Sequence, residues 1–208
     1  MSNPLIVIEG NIGAGKTSLA RRLGQELRAQ VLLEKFEDNP FLPLFYQDPE
    51  RHAFALEMSF LAERREQLAG LAGQAEGPLV ADYHPSKSLI FASQTLKSAE
   101  MDLYRRLFRL LHKDLPQPTR YVYLHREVPS LLANIAKRGR GYEQGLEAEY
   151  LARIERAYFD FLADNQDFPA MILDMEGIDF LGDDEHYRRV RHKILHEPRA
   201  QGLIRTRP

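Results

Sequence analysis

The sequence predicts an α/β fold: a five-stranded parallel sheet with helices on both faces, a phosphate-binding loop after the first strand, and a lid at about residues 137–146. Three observations lead there. Short apolar runs alternate with amphipathic helical stretches, the pattern of a parallel sheet covered on both sides. Gly10-Asn11-Ile12-Gly13-Ala14-Gly15-Lys16-Thr17 has the spacing G-x-x-x-x-G-K-[ST]. Two acids, Glu34 and Asp82, stand at the ends of later apolar runs, where open α/β sheets collect their ligands.

Leu5-Ile6-Val7-Ile8 reads as the first strand and leads straight into the loop. Glycines there let backbone N–H groups curl around a polyphosphate, Lys16 adds positive charge, and the Thr17 hydroxyl suits Mg²⁺. Ser18 to Arg28 carries Leu19, Leu23 and Leu27 at spacing four, a helix whose N-terminus faces the phosphates. Strand, loop and helix in this order make the fold of P-loop NTPase type. The stretch from Gly10 through Ser18 is the expected ATP-binding segment.

Further along, Val31-Leu32-Leu33 forms a second expected strand that delivers Glu34. Leu44-Phe45-Tyr46 suits a short helix. A long helix runs from Pro49 to Leu71, with proline in its first turn and Glu50 favouring the dipole. Pro78 to Ala81 is the third strand and ends at Asp82. Helical stretches follow, broken near Ser93 and resuming from Ser98 to Leu111. Tyr121 to Leu124 is the fourth strand, followed by a helix from Pro129 to Lys137 and another from about Glu147 to Leu162. Met171-Ile172-Leu173 is the fifth strand, and Glu185 to Leu195 the last helix. The tail from Pro198 to Pro208, with Arg199, Arg205 and Arg207, is expected to be flexible.

At 208 residues the chain suits one domain. Its 44% hydrophobic and 28% charged residues are those of an ordinary globular protein, and a net charge of −2 gives no reason to expect a nucleic acid or membrane partner. No apolar run approaches the length of a bilayer span, and no signal-like segment opens the chain. The absence of cysteine excludes disulfides and thiolate zinc sites, and a cytoplasmic setting is expected.

Phosphoryl transfer needs positioning, metal and positive charge more than covalent chemistry. Glu34 suits the proton acceptor for a hydroxyl and Asp82 a group near the metal; as solvated loop acids, both would have no such role. Arg138 and Arg140 flank Gly139, either to close over a triphosphate or merely to cap a helix C-terminus. Glu57 lies on the apolar stripe of Phe54, Met58 and Leu61. A buried carboxylate needs a partner, and either Arg64, two turns on, or a ligand fills that place. His192 and His196 lack a third metal ligand, and the basic run from Arg188 to Lys193 reads as a solvated helix face. Asp174-Met175-Glu176-Gly177 matches D-x-x-G of GTP switches, but without a following N-K-x-D.

With these pieces placed, the chain resembles the deoxynucleoside kinases, and among them most the bacterial deoxyguanosine kinases. The resemblance rests on Ile8 through Thr17, Glu34 to Pro40 with Phe45-Tyr46, and Asp48-Pro49-Glu50-Arg51. It continues in Ala81-Asp82-Tyr83-His84 with Ile90-Phe91-Ala92, and in Arg138-Gly139-Arg140 with Tyr142-Glu143. It implies ATP as donor, Mg²⁺, a deoxynucleoside acceptor and a homodimer through the long helices. It further implies that Glu34 is the base for the 5′-hydroxyl, that Arg138 and Arg140 form the lid over the phosphates, that Tyr46 and Glu143 hold the sugar 3′-hydroxyl, and that Phe91 stacks on the base.

Two departures from the family pattern bear on function. Many members carry Asp/Glu-Arg-Ser after the third strand, whereas this chain reads Asp82-Tyr83-His84, so Lys87 or Arg126 must substitute for that arginine. Many also have glutamine where Glu57 stands. An ionised carboxylate offers only acceptors. Guanine presents N1–H and N2–H₂ side by side, which match it, while adenine and cytosine show an acceptor beside a donor. Arg64 and Lys87 are candidate donors to guanine O6 or N7. The expected function is therefore a deoxyguanosine kinase. A kinase of broader specificity, also taking deoxyadenosine or deoxyinosine, and a non-catalytic nucleotide-binding protein are the alternatives.

Overall fold

The computed structural model describes residues 4–36, 38–71, 77–113, 117–143, 145–165, 170–197 and 203–208. Strand β1 (Leu5–Gly10) runs into the glycine loop and helix α1 (Lys16–Leu27). Strand β2 (Gln30–Leu32) is followed by α2 (Leu42–Gln47) and α3 (Pro49–Leu71), the latter with the bounds expected from its sequence. Then come β3 (Leu79–Ala81), α4 (Lys87–Thr95), α5 (Ser98–Leu111), β4 (Arg120–His125) and α6 (Val128–Arg138). A 3-10 turn (Gly141–Glu143), α7 (Ala148–Asp164), β5 (Ala170–Asp174), α8 (Asp184–His196) and β6 (Leu203–Thr206) complete the order.

The sheet has six parallel strands in the order β2-β3-β1-β4-β5-β6, so the expectation of five is corrected. The added strand comes from the tail that was expected to be flexible. Leu203–Thr206 pairs in parallel with β5, Ile172 opposite Arg205, and Arg207 reaches the Glu176 carbonyl at 3.0 Å. Residues 198–202 of that tail, including Arg199, lie outside the described residues.

Alternation along the strands builds one core on each face. Ile6, Ile8, Val122 and Leu124 point to one side, against Leu19 and Leu23 of α1, Leu131 of α6 and Val190 of α8. Leu5, Val7, Tyr121 and Tyr123 point to the other, against Ile154 and Tyr158 of α7. Period-two side-chain geometry makes this division, and burial of both faces accounts for the near-continuous apolar runs. Two smaller clusters join α3 to α5 through Leu61, Met101 and Tyr104, and α2 to α3 through Phe45 and Leu56.

The chain leaves β1 toward β2 on one side and leaves the neighbouring β3 toward β4 on the other. A crevice therefore opens at the carboxyl ends of β2, β3 and β1, the topological switch point of an open α/β sheet. The glycine loop, Glu34 and Asp82 all project there.

Candidate active site

The glycine loop takes its shape from conformations that only glycine adopts without strain. Gly13 has φ +83°, and a Cβ on it would stand 2.7 Å from the Leu131 carbonyl oxygen. Asn11 ties the loop down, donating from Nδ2 to the Leu151 carbonyl at 2.8 Å while its Oδ1 accepts from Ile12 N–H at 2.9 Å. Lys16 Nζ folds back to the Asn11 carbonyl at 2.9 Å. Burial, helped by the nearby Lys87 charge, pulls the Lys16 ammonium down to about 8. A buried cation in this condition gains most from an anionic ligand.

Two cavities meet at this loop. The larger runs from Gly13–Ser18 past Arg126 to Gly177–Leu181; the other extends under α3 and α4. Gly13, Lys16, Thr17, Glu34, Arg138 and Arg140 line both. Tyr46, Glu57, Arg64, Asp82, Lys87, Phe91 and Glu143 line the second, so the residues singled out for an acceptor share one enclosure.

Asp82, just past β3, bridges the two halves of the crevice. Its Oδ2 accepts from the Thr17 hydroxyl at 2.5 Å and its Oδ1 from the Glu34 backbone N–H at 2.7 Å. Burial pushes the Asp82 carboxyl up, against those two hydrogen bonds. Thr17 and Asp82 thus place a hydroxyl and a carboxylate oxygen side by side. Such hard donors fit Mg²⁺, which takes one or two protein oxygens and fills the rest with phosphates and water. Among the described residues, no group of three or more His, Cys, Asp or Glu suits a metal held wholly by protein; the rings of His192 and His196 on α8 lie with centres 5.0 Å apart.

Glu34 is gripped from two sides. Arg64 reaches Oε1 from Nε at 3.0 Å and Nη2 at 2.5 Å, and Lys87 Nζ donates to Oε2. Burial alone would raise this carboxyl, but Lys87 and Arg64 outweigh it and hold Glu34 well below the usual carboxylate range. Arg64 also donates from Nη1 to Ser88 Oγ at 2.6 Å. The expectation that Arg64 might partner Glu57 is corrected: the guanidinium turns toward the more accessible carboxylate, where Lys87 already concentrates charge.

Among the described residues, no cation therefore bonds Glu57. It is 2% exposed, its Oε1 accepts from the Thr95 hydroxyl at 3.1 Å, and its buried Oε2 has no hydrogen-bond partner among the described residues. Burial pushes its carboxyl up to about 7, against Arg64, Thr95 and Lys87.

The two cations weighed as substitutes for the family arginine separate in space. Lys87 stands on Glu34, whereas Arg126 donates from Nη2 to the Ile178 carbonyl at 2.7 Å, in the other cavity. Tyr83 turns away into the core, its hydroxyl donating to Gln67 Oε1 at 2.8 Å, and Gln67 Nε2 holds the Leu33 carbonyl at 2.9 Å. It supports the segment that carries Glu34.

In the segment expected to form a lid, Arg138 ends α6 and Gly139 follows with φ +72°. Arg138 Nε donates to Glu143 Oε2 at 3.1 Å, Arg140 Nη1 lies 3.6 Å from Glu143 Oε1, and the Arg140 guanidinium carbon sits 4.4 Å from the centre of the Phe36 ring. Capping a helix end and facing the cavity are thus compatible for Arg138. Phe91 meets Tyr158 edge-on, with ring centres 6.2 Å apart. Asp174 of the D-x-x-G segment accepts from Glu176 N–H at 3.1 Å and stands 3.8 Å from His125 Nδ1, serving a turn.

Sequence reasoning passed over several residues that line these cavities. Thr95 stands one helical turn after Phe91 on α4, a spacing that would have found it. Phe36, Phe60, Tyr150 and Phe180 carry no local signal, because only the fold brings them to the crevice.

The family model of the deoxynucleoside kinases matches residues 6–197. The chain belongs to the deoxynucleoside kinase family. It is a kinase, a transferase of phosphoryl groups acting on deoxynucleosides. A deoxyguanosine kinase of Bacillus subtilis is 40% identical over 158 residues, covering 74% of this chain and 76% of the relative. A deoxyadenosine kinase of Dictyostelium discoideum is 34% identical over 164 residues, covering 76% of this chain and 66% of the relative. In fold, the chain is similar to a deoxyadenosine kinase from M. mycoides solved with the products dCMP and a flexible dCDP, with a TM-score of 0.80 and 22% identity over 91% of this chain and 97% of that one. Among the described residues, no helix of this deoxynucleoside kinase is long and apolar enough to cross a membrane.

Proposed function

We propose that this kinase transfers the γ-phosphate of ATP, or of another nucleoside triphosphate, to the 5′-hydroxyl of deoxyguanosine, giving dGMP. One observation carries the base specificity: Glu57 is buried in the acceptor cavity with Oε2 unpartnered and its nearest guanidinium committed to Glu34. An ionised carboxylate is satisfied by the two adjacent donors of guanine. Adenine and cytosine would turn a ring acceptor toward it, and an unpaired buried polar atom costs about 1–3 kcal/mol. The similarity to a deoxyguanosine kinase supports the same reading.

Glu34 sits where both cavities meet, so a 5′-hydroxyl between it and the glycine loop would face the donor phosphates. A carboxylate held low by Arg64 and Lys87 is fully ionised but a weak base. That suits a loose phosphoryl transfer, in which the acceptor proton leaves late and orientation matters more than basicity. Lys16, Arg138 and Arg140 would neutralise charge on the transferred group, and Lys87 takes the place of the missing family arginine. Thr17 and Asp82 would hold Mg²⁺, which supplies charge neutralisation and orientation of the donor phosphates.

Tyr46 and Glu143 are assigned to the sugar 3′-hydroxyl and Phe91 to stacking on the base, with Tyr46 leaving little room for a 2′-hydroxyl. Because Arg138 now holds Glu143, sugar binding and movement of Arg138 toward phosphate are coupled in this scheme. Recognition of guanine O6 or N7 by Arg64 or Lys87 would compete with their grip on Glu34. Exposed Leu103 and Leu110 on α5, at 44% and 64%, support a homodimer through the long helices, and a cytoplasmic setting suits the substrates.

The test is phosphorylation of the four deoxynucleosides and guanosine with ATP. Deoxyguanosine is expected to give the highest kcat/KM and guanosine a far lower one. Phosphorylation of none of them, with ATP binding intact, would overturn the proposal.

A further inference from the structure

We propose that the protonation state of Glu57 selects between two classes of acceptor. The carboxylate takes guanine, and the neutral carboxyl takes a base that shows an acceptor beside a donor, adenine or cytosine. The inference rests on the reading of Glu57 as the base-recognition group.

The surroundings of Glu57 accommodate both forms. Thr95 Oγ1 lies 3.1 Å from Glu57 Oε1 and 3.1 Å from the Phe91 carbonyl oxygen, and its single hydrogen serves one of them at a time. Thr95 can therefore donate to a charged Oε1 or turn to Phe91 when the charge is gone. Among the described residues, no cation is bonded to the ionised form. On its own helix, Arg64 is bound to Glu34 and Ser88. From α4, Lys87 is likewise on Glu34, and Glu34 itself adds a negative charge from beyond β2. From α5, the Tyr104 hydroxyl donates to the Glu57 backbone carbonyl at 3.3 Å. Tyr46 from α2 and the buried Tyr150 from α7 also line the cavity, as do Lys16, Asp82, Arg138, Arg140 and Glu143 toward the glycine loop, where Glu143 is paired with Arg138. Burial then brings the carboxyl up to about 7, so both forms are populated near neutral pH.

With a proton on Oε2, the group presents O–H beside an acceptor oxygen, the pattern of a glutamine carboxamide. Adenine N1 would accept from Oε2 while its N6–H₂ donates to Oε1. Guanine demands the opposite, two acceptors. Deoxyadenosine binding should thus take up a proton and deoxyguanosine binding should release one.

The experiment measures kcat/KM for both nucleosides from about pH 5.5 to about pH 8.5 and takes their ratio, which cancels the titration of groups common to both reactions. In the wild type, the deoxyadenosine-to-deoxyguanosine ratio should rise about tenfold for each unit that pH falls. In Glu57→Gln the ratio should be shifted toward deoxyadenosine and independent of pH. A pH-independent ratio in the wild type overturns the inference, even if the variant still loses deoxyguanosine and so leaves the guanine reading intact. Unchanged deoxyguanosine efficiency in the variant removes that reading and the inference with it. Calorimetry of the wild type near pH 7, in two buffers of different ionisation enthalpy, gives an answer without any variant. Proton uptake with deoxyadenosine and release with deoxyguanosine are expected; no proton exchange with either overturns the inference.

Discussion

Arg64, in the middle of α3, grips Glu34, in the segment after β2, with Nε 3.0 Å and Nη2 2.5 Å from the same oxygen. The pair joins the helix that carries the proposed base-reading acid, Glu57, to the strand end that carries the proposed hydroxyl-facing acid. It holds Glu34 ionised and aimed, and it withdraws from Glu57 the guanidinium that lies two turns along α3. One ion pair thus shapes both ends of the proposed acceptor site.

Removal of that grip should be visible in the pH profile. Arg64→Met leaves Glu34 with Lys87 alone, so its carboxyl rises; in a Glu57→Gln background, where position 57 no longer titrates, the acidic limb of kcat/KM for deoxyadenosine should move to higher pH. Breaking one side of a buried ion pair should also cost about 3–5 kcal/mol in denaturant unfolding. An acidic limb that stays in place would show that Glu34 ionisation does not depend on Arg64.

Glu57 should make the protein less stable than it need be. Its carboxyl titrates at about 7 when folded and in the ordinary carboxylate range when unfolded. Folding therefore raises the pKa, and the associated stability is full at low pH and is lost as pH rises to about 7. A neutral isostere escapes that loss. Glu57→Gln should be more stable than the wild type at pH 8, by on the order of 2–3 kcal/mol, with the difference shrinking toward pH 5. Urea unfolding at the two pH values measures it. A variant less stable at pH 8 would mean that an unrecognised partner holds the carboxylate.

The glycine loop should tolerate no side chain at Gly13. A Cβ there would meet the Leu131 carbonyl at 2.7 Å, in a conformation that alanine also resists. Gly13→Ala should displace α6 from the loop, lower the unfolding free energy by about 1–3 kcal/mol and weaken ATP binding. Nucleotide titration with intrinsic or labelled fluorescence reads the second effect directly.

Lid residues should act on turnover more than on binding. Arg138→Ala is expected to lower kcat about a hundredfold while changing the KM for deoxyguanosine much less, since a charge that serves the transition state is lost. Steady-state kinetics at saturating ATP separates the two constants. Equal and opposite changes confined to KM would place Arg138 in ground-state binding.

Much of this arrangement was legible from sequence where chemistry and periodicity are local. The glycine spacing, the apolar runs of β1, β3 and β4, and Pro49 at the start of α3 each declare themselves within a few residues. Strand β6 did not, because Leu203–Thr206 is a short edge strand that is only half-buried and follows a charged, proline-bearing stretch. The Glu34–Arg64 pair also escaped notice. Helical spacing put Arg64 on the Glu57 face, and only the fold, which sets α3 beside the segment after β2, showed that Glu34 takes its guanidinium. Thr95, held against Glu57, was within reach of the turn rule from Phe91, yet a hydroxyl on a helix carries no signal until its partner is known.

The most direct measurement of base recognition is kcat/KM for deoxyguanosine with the wild type and with Glu57→Gln at pH 8, where the wild-type carboxylate is largely ionised. The deoxyguanosine value should fall tenfold to over a hundredfold, about 1–3 kcal/mol, while deoxyadenosine or deoxycytidine rises. A deoxyguanosine value equal to that of the wild type would contradict the assignment of Glu57 as the residue that reads the base.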